Sequence, residues 1–238
     1  MKKFSTSRRL WLKSAAALGL LGPAGIAGLI QDALAKGDLP TALGINALSG
    51  EVTINGVPTK LGALVKAGDI IATGRRSSAT IVIGKDAFLL RENTRIEYRP
   101  PTSSTTANLA DAILVTTGKM LSVFGKRGSA EAAVAIRTKN ATIGIRGTGC
   151  YVEIDDVNER TYFCLCYGSA GIDGAGMTEP KVITTVHHET PVWLDDRGGV
   201  MKVESAGFVN HTDLELIMLE KLQGREPLFV ALGMTGKY

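Results

Sequence analysis

From Glu51 onward, short apolar runs alternate with turn residues. Val52-Thr53-Ile54 leads into Asn55-Gly56, a pair that tolerates positive φ and marks a two-residue hairpin. Pro58 confines the next segment to an edge or a turn. Gly68-Asp69 and Gly74 bracket the apolar stretch Ile70-Ile71-Ala72. Residues 79–83 are rich in β-branched side chains and stop at Gly84-Lys85-Asp86, while residues 95–99 alternate so that Ile96 and Tyr98 face a core. Residues 100–108 are rich in Pro, Ser and Thr with no apolar period, which predicts an exposed loop, and residues 125–130 predict another. Further strands are predicted at 112–116, 121–124, 134–138, 141–145, 149–154, 161–167, 182–186, 191–194 and 200–203, with turns at 155–160 and 195–199.

The last element has a different period. Thr212 can cap a helix, Asp213 and Glu215 occupy the first turn where the helix dipole favours acids, and Gly224 ends it. Leu214, Ile217, Met218, Lys221 and Leu222 follow at helical spacing. The fold class is therefore all-β: short strands stacked in a solenoid-like or sandwich arrangement, with one C-terminal α-helix at about 212–223. That helix is expected to close an open end or edge of the sheet.

The N-terminus adds an address. Ser7-Arg8-Arg9-Leu10-Trp11-Leu12-Lys13 precedes an apolar run from Ala15 to Ile30 and the small residues Ala33-Leu34-Ala35. This is the layout of a twin-arginine export signal, with Arg8 and Arg9 as its basic pair and cleavage between Ala35 and Lys36. Glycines at 19, 22, 25 and 28 and Pro23 dilute the run below what a spanning helix needs, so no stable membrane span is expected after cleavage. The twin-arginine translocase is then an obligatory partner, and the chain folds under reducing conditions before reaching the periplasm. Removing Lys2, Lys3, Arg8, Arg9, Lys13 and Asp32 from 27 basic and 23 acidic residues leaves 22 of each. The sequence pI near 9.0 thus belongs to the signal, and no basic field remains to recruit nucleic acid.

Two blocks carry a family resemblance. Gly50-Glu51-Val52, Leu61-Gly62, Val65, Gly68-Asp69-Ile70-Ile71-Ala72-Thr73-Gly74, Ser78-Ala79 and Ile81 form the first; Ala141-Thr142-Ile143-Gly144-Ile145-Arg146-Gly147-Thr148 forms the second. Together they resemble the periplasmic domain of FecR-type ferric-citrate regulators over residues 48–172. The resemblance implies a periplasmic all-β module that signals from an outer-membrane ferric-siderophore receptor towards a sigma factor, and so a link to iron-uptake regulation. Only six residues precede the arginine signal, so the cytoplasmic sigma-binding half of that role is not expected. Gly149-Cys150 also stands where the family has an acidic residue and an aromatic one. The expected division is a signal peptide at 1–35, a linker at 36–47, the FecR-like domain at 48–172 and a C-terminal β extension at 173–238.

Within these blocks Gly68, Asp69, Gly74, Gly147 and Thr148 are expected to build strand corners. Arg146, set between two apolar strands, is expected to be buried and paired with an internal carboxylate, a ligand being the other reading.

The thiols Cys150, Cys164 and Cys166 occupy consecutive predicted strands, with Cys164 and Cys166 on one face. A three-residue loop at 156–158 would set Cys150 across from Cys164; other turns would oppose it to Leu165 or Cys166. Three readings stand: packed core thiols, one disulfide with a spare thiol, or a metal or redox site recruiting His187 or His188. The spacing matches no metal signature, and adjacent histidines on a strand would face opposite sides, so neither a metal nor a cofactor is expected. His211 is expected at the surface. No nucleophile elbow, His-Glu-x-x-His or phosphate loop is present, and the paired acids fall in turns. The expectation is a non-enzymatic module that binds a cell-envelope protein through strand edges, near residues 100–108 and Val57-Pro58.

Overall fold

The structure is a computed structural model, described here over residues 43–99, 109–126 and 133–236. The export pair Arg8 and Arg9, the cleavage site Ala35-Lys36 and the loop at 100–108 lie outside these residues, as does most of the loop at 125–130.

Sixteen strands follow one another: β1 (Gly44–Ser49), β2 (Val52–Ile54), β3 (Val57–Pro58), β4 (Ile70–Thr73), β5 (Ser78–Ile83), β6 (Asp86–Leu90), β7 (Arg95–Arg99) and β8 (Leu109–Thr117). Then come β9 (Lys119–Val123), β10 (Ala133–Arg137), β11 (Ala141–Ile145), β12 (Gly149–Asp155), β13 (Arg160–Gly174), β14 (Lys181–Thr185), β15 (Val192–Asp195) and β16 (Lys202–Ser205). Helices α1 (Asp213–Leu222) and α2 (Leu228–Ala231) end the chain. The all-β expectation holds. The strands form one continuous curled sheet in the order β1-β5-β6-β9-β12-β13-β11-β10-β8-β7-β4-β2-β3, with β14 and β15 added along β13 and β16 beyond β15.

The fifteen-residue β13 joins the two halves of this sheet. Its first part pairs with β12 and β15, its second with β11 and β14. The change of partners falls at Gly168, where φ is +97 and a Cβ would lie 2.7 Å from the Thr148 side chain. Only glycine allows both the backbone and the approach.

Curling encloses a first core between the halves, containing Ile71, Ile81, Phe88, Leu90, Ile96, Ile143, Ile145, Cys150 and Phe163. A second core lies on the outer face of β5, β6, β9, β12 and β13, where Leu89, Leu121, Tyr151, Tyr162, Cys164 and Cys166 meet Leu216, Leu219 and Phe229 of the helices. Strands of that half are buried on both faces. All five residues of β6 are buried, with Phe88 and Leu90 inward and Ala87 and Leu89 outward.

Several expectations need correction. The predicted linker at 36–47 contains the start of β1, which pairs antiparallel with β5. Helix α1 begins as predicted, with a capping box between Thr212 and Glu215, but it covers a sheet face rather than an end or edge. The face demands it, because a row of large apolar side chains there would otherwise meet water. Among the described residues no helix is long and apolar enough to cross a membrane.

Candidate functional site

The first resemblance block does build a corner. Asn55 and Gly56 both take positive φ, at 55 and 78, as the hairpin turn requires. Asp69 caps the opposite bend: its carboxylate accepts from Asn55 Nδ2 at 2.8 Å and from the Lys66 amide at 2.7 Å. Gly68 has φ of +85, while at Gly74 a Cβ would lie 2.9 Å from the Glu51 carboxylate. These contacts use side chains to fix the two bends against each other.

In the second block Gly147 has φ of +70 beside Lys126, and Thr148 is buried with its hydroxyl donating to the Gly149 carbonyl. Arg146 is exposed. The expected buried guanidinium is overturned, because the bend turns this side chain away from both apolar strands.

Cys150 faces Leu165 across the β12–β13 ladder, and the residue opposite Cys164 is Tyr151. Cys150 therefore joins the inner core while Cys164 and Cys166 point to the outer one. None of the three thiols is in a disulfide. Burial pushes the Cys150 thiol up to about 12, against a contact with Ser122 Oγ at 3.3 Å. It is a packed core thiol.

Cys164 and Cys166 have different company. His188 Nδ1 lies 3.6 Å from Cys164 Sγ, and His211 Nε2 lies 3.2 Å from the same Nδ1. Cys164, Cys166, His188 and His211 each bring one ligand atom, all within 4.8 Å of one another, and all four residues are buried. A second group, His187, His188 and Asp213, adjoins it. The Asp213 carboxylate accepts from His187 Nε2 at 2.8 Å and from His188 Nε2 at 3.2 Å, and its other oxygen accepts from the Gly236 amide. His211 Nδ1 donates to the Val209 carbonyl at 2.7 Å. Of the residues singled out from sequence, Cys164, Cys166 and His188 belong to the cluster, His187 stands one layer behind it, and Cys150 is elsewhere. His211 is not at the surface; Tyr151 stacks on its ring with centroids 4.5 Å apart.

Local conformation explains how adjacent histidines both point inward. They follow β14 in a bend rather than on the strand, and His188 takes a left-handed φ of 54 while its amide donates to the Cys166 carbonyl. Asn210 makes the same left-handed turn, with φ of 61, just before His211.

The electrostatics are uneven. A hydrogen bond from Cys166, and after it the His188 ring, hold the Cys164 thiol down at about 6 against the opposing effect of burial. Burial pushes Cys166 well up. Burial also lowers His211 to about 4, which keeps its ring neutral. Cys164, His188 and Asp213 thus form a chain resembling a nucleophile, base and orienting acid. Yet Cys164 has no exposed surface, and His188 and Asp213 are 2% and 1% exposed. Phe208 and Phe229 pack on the His188 and His187 rings, so no substrate reaches the sulfur in this conformation.

No protein-family model matches the chain, and no curated protein matches its sequence. Among solved structures it is similar to two crystal structures of a proposed anti-sigma factor from Parabacteroides distasonis. One is 13% identical over 64% of this chain and 74% of the other, with a TM-score of 0.44. The second is 14% identical over 65% and 73%, with a TM-score of 0.43.

Proposed function

We propose that this protein is an exported, non-enzymatic β module that binds a protein partner in the cell envelope, a binding or signalling role of the kind the FecR-type resemblance implies. The observation that supports it is the contrast, among the described residues, between a Cys/His cluster buried from solvent and a strand edge at β14 that no other strand pairs. Elsewhere the edges are blunted. The loop at 60–63 covers β1 through hydrogen bonds between Ile45 and Ala63 and between Gly62 and Ile45. Strand β3 has two residues, one of them Pro58, and β16 carries Lys202 and Glu204, charges that discourage pairing.

Among the described residues β14 pairs with β13 alone. Its Val182-Ile183-Thr184 segment is uncharged, and Val182 is 68% exposed. A partner strand added there would gain main-chain hydrogen bonds and an apolar contact. The contact region therefore shifts from Val57-Pro58 to β14.

The test is photo-crosslinking in intact cells with a reactive side chain at Val182, and at Lys202 for comparison. An envelope-protein adduct from position 182 alone, lost when Arg8 and Arg9 are both replaced by Lys, is the expected result. Equal labelling from both positions, or a product that stays in the cytoplasm with its signal intact, would refute the proposal.

A further inference from the structure

We propose that Cys164, Cys166, His188 and His211 form a tetrahedral zinc(II) centre that fastens the C-terminal segment to the outer face of the sheet. This inference does not depend on the partner-binding reading.

The donor set and its spacing support it. A tetrahedral ion with Zn–S near 2.3 Å and Zn–N near 2.0–2.1 Å requires N···S edges of about 3.6 Å and N···N edges of about 3.3 Å. The corresponding separations are 3.6 Å for Cys164 Sγ to His188 Nδ1 and 3.2 Å for His188 Nδ1 to His211 Nε2. Both rings are already oriented as ligands. Each histidine commits its outer nitrogen to an acceptor, His188 to Asp213 and His211 to the Val209 carbonyl. The inner nitrogens are left aimed at one another and at the thiols. Such outer hydrogen bonds are what fix tautomer and orientation in imidazole–metal sites.

Other occupants fit less well. A disulfide between Cys164 and Cys166 is excluded by the strand, where residues two apart stand about 6.6 Å from each other with parallel Cβ bonds, against the roughly 3.5–4.5 Å that Cβ atoms need. A single proton shared by His188 and Cys164 would satisfy one contact and leave the His211 lone pair facing its neighbour. Two thiolates and two neutral imidazoles around Zn²⁺ sum to zero charge, which suits a buried site, whereas a monovalent ion would leave a net negative charge there. The ligands come from β13, the bend after β14 and the residue before the α1 cap. The ion would thus tie three separate segments together, and its binding energy would become folding energy.

The full chain, purified under reducing conditions without chelator, is expected to carry one zinc per chain by elemental analysis. Exchange with cobalt(II) should give the sulfur-to-metal charge-transfer band and the intense d–d bands of a tetrahedral thiolate site. Cys164→Ser and His211→Gln should each lose the metal, while Cys150→Ser keeps it. Because either loss variant can misfold, Cys166→His provides a second reading: it should retain cobalt with a weaker charge-transfer band. Wild-type protein that stays metal-free after equilibration with zinc would overturn the proposal and leave the shared proton as the occupant. A cobalt spectrum without sulfur charge transfer, or zinc retained by Cys164→Ser, would overturn it as well.

Discussion

Glu215 both caps helix α1 and ties it to Arg91 just past the end of β6, so its removal offers a sharp test of how that helix is held. Its carboxylate accepts from the Thr212 amide at 2.9 Å, completing the capping box, and from Arg91 Nη2 at 2.8 and 2.9 Å. Losing the cap contact costs about 1 kcal/mol. Breaking a fully buried ion pair costs about 3–5 kcal/mol. The Arg91 side chain is 23% exposed and can recover some hydration, so about 1–3 kcal/mol is appropriate for this pair. Glu215→Ala is therefore expected to cost roughly 2–4 kcal/mol in all, which for a chain of this size lowers the melting temperature by roughly 5–15 °C. Glu215→Gln keeps a residue suited to the cap and should fall between the two. Thermal melts at fixed zinc concentration measure both, and a double-mutant cycle with Arg91→Ala isolates the pair. A Glu215→Ala melt within about 2 °C of wild type, or no coupling in the cycle, would show that the Arg91–Glu215 pair does not seat the helix.

Three further outcomes follow from the packing. Gly168→Ala should lower stability by at least about 1–3 kcal/mol in urea unfolding, since φ of +97 and the 2.7 Å approach to Thr148 both oppose a side chain. Arg146→Lys, at an exposed position, should leave the melting temperature unchanged, with an effect within about 0.5 kcal/mol; a clear loss would restore the buried-pair reading. Cys150 has its thiol raised from 9.0 to about 12, so the folded state holds a proton that the unfolded chain releases. The stability this represents is intact below pH 9 and declines as pH rises from 9 towards 12, by up to about 1.4 kcal/mol per pH unit. Cys150→Ala should flatten that alkaline decline in urea midpoints taken at successive pH values, and an unchanged slope would refute it.

Features encoded by neighbouring residues were legible in the sequence. The Asn55-Gly56 hairpin, the alternation at Arg95–Arg99 and the Thr212 cap all depend on contacts within a few positions. Strand β6 was not legible, because burial on both faces turns its alternation into the unbroken run Ala87-Phe88-Leu89-Leu90, which carries no strand period. The same two-sided burial gives the apolar run Tyr162 to Tyr167, a signal that something else must cover the face of Cys164 and Cys166. Half of the site followed from strand period alone, which sets those two thiols side by side. The histidines did not follow. His188 lies 24 residues after Cys164 and His211 a further 23, and a left-handed residue at His188 and at Asn210 aims their rings in a way no strand period foretells.

The acids of α1 complete the physical account. Apolar burial is non-directional, so Leu216, Leu219 and Leu222 alone would let a short helix slide or rotate on the sheet face at little cost. Three largely buried carboxylates remove that freedom. Asp213 is held by His187 and His188, Glu215 by Arg91, and Glu220 by the Tyr167 hydroxyl at 2.5 Å and by Arg225. Each is costly to bury unless paired, and each pairing exists at one register only. Moving the helix by one turn, about 5.4 Å, would break all three at once. The same register places His211, two residues before the helix, against Cys164, Cys166 and His188. A four-atom site tolerates far less displacement than an apolar contact, so the ion pairs and hydrogen bonds along α1 are what make so compact a Cys/His cluster geometrically possible.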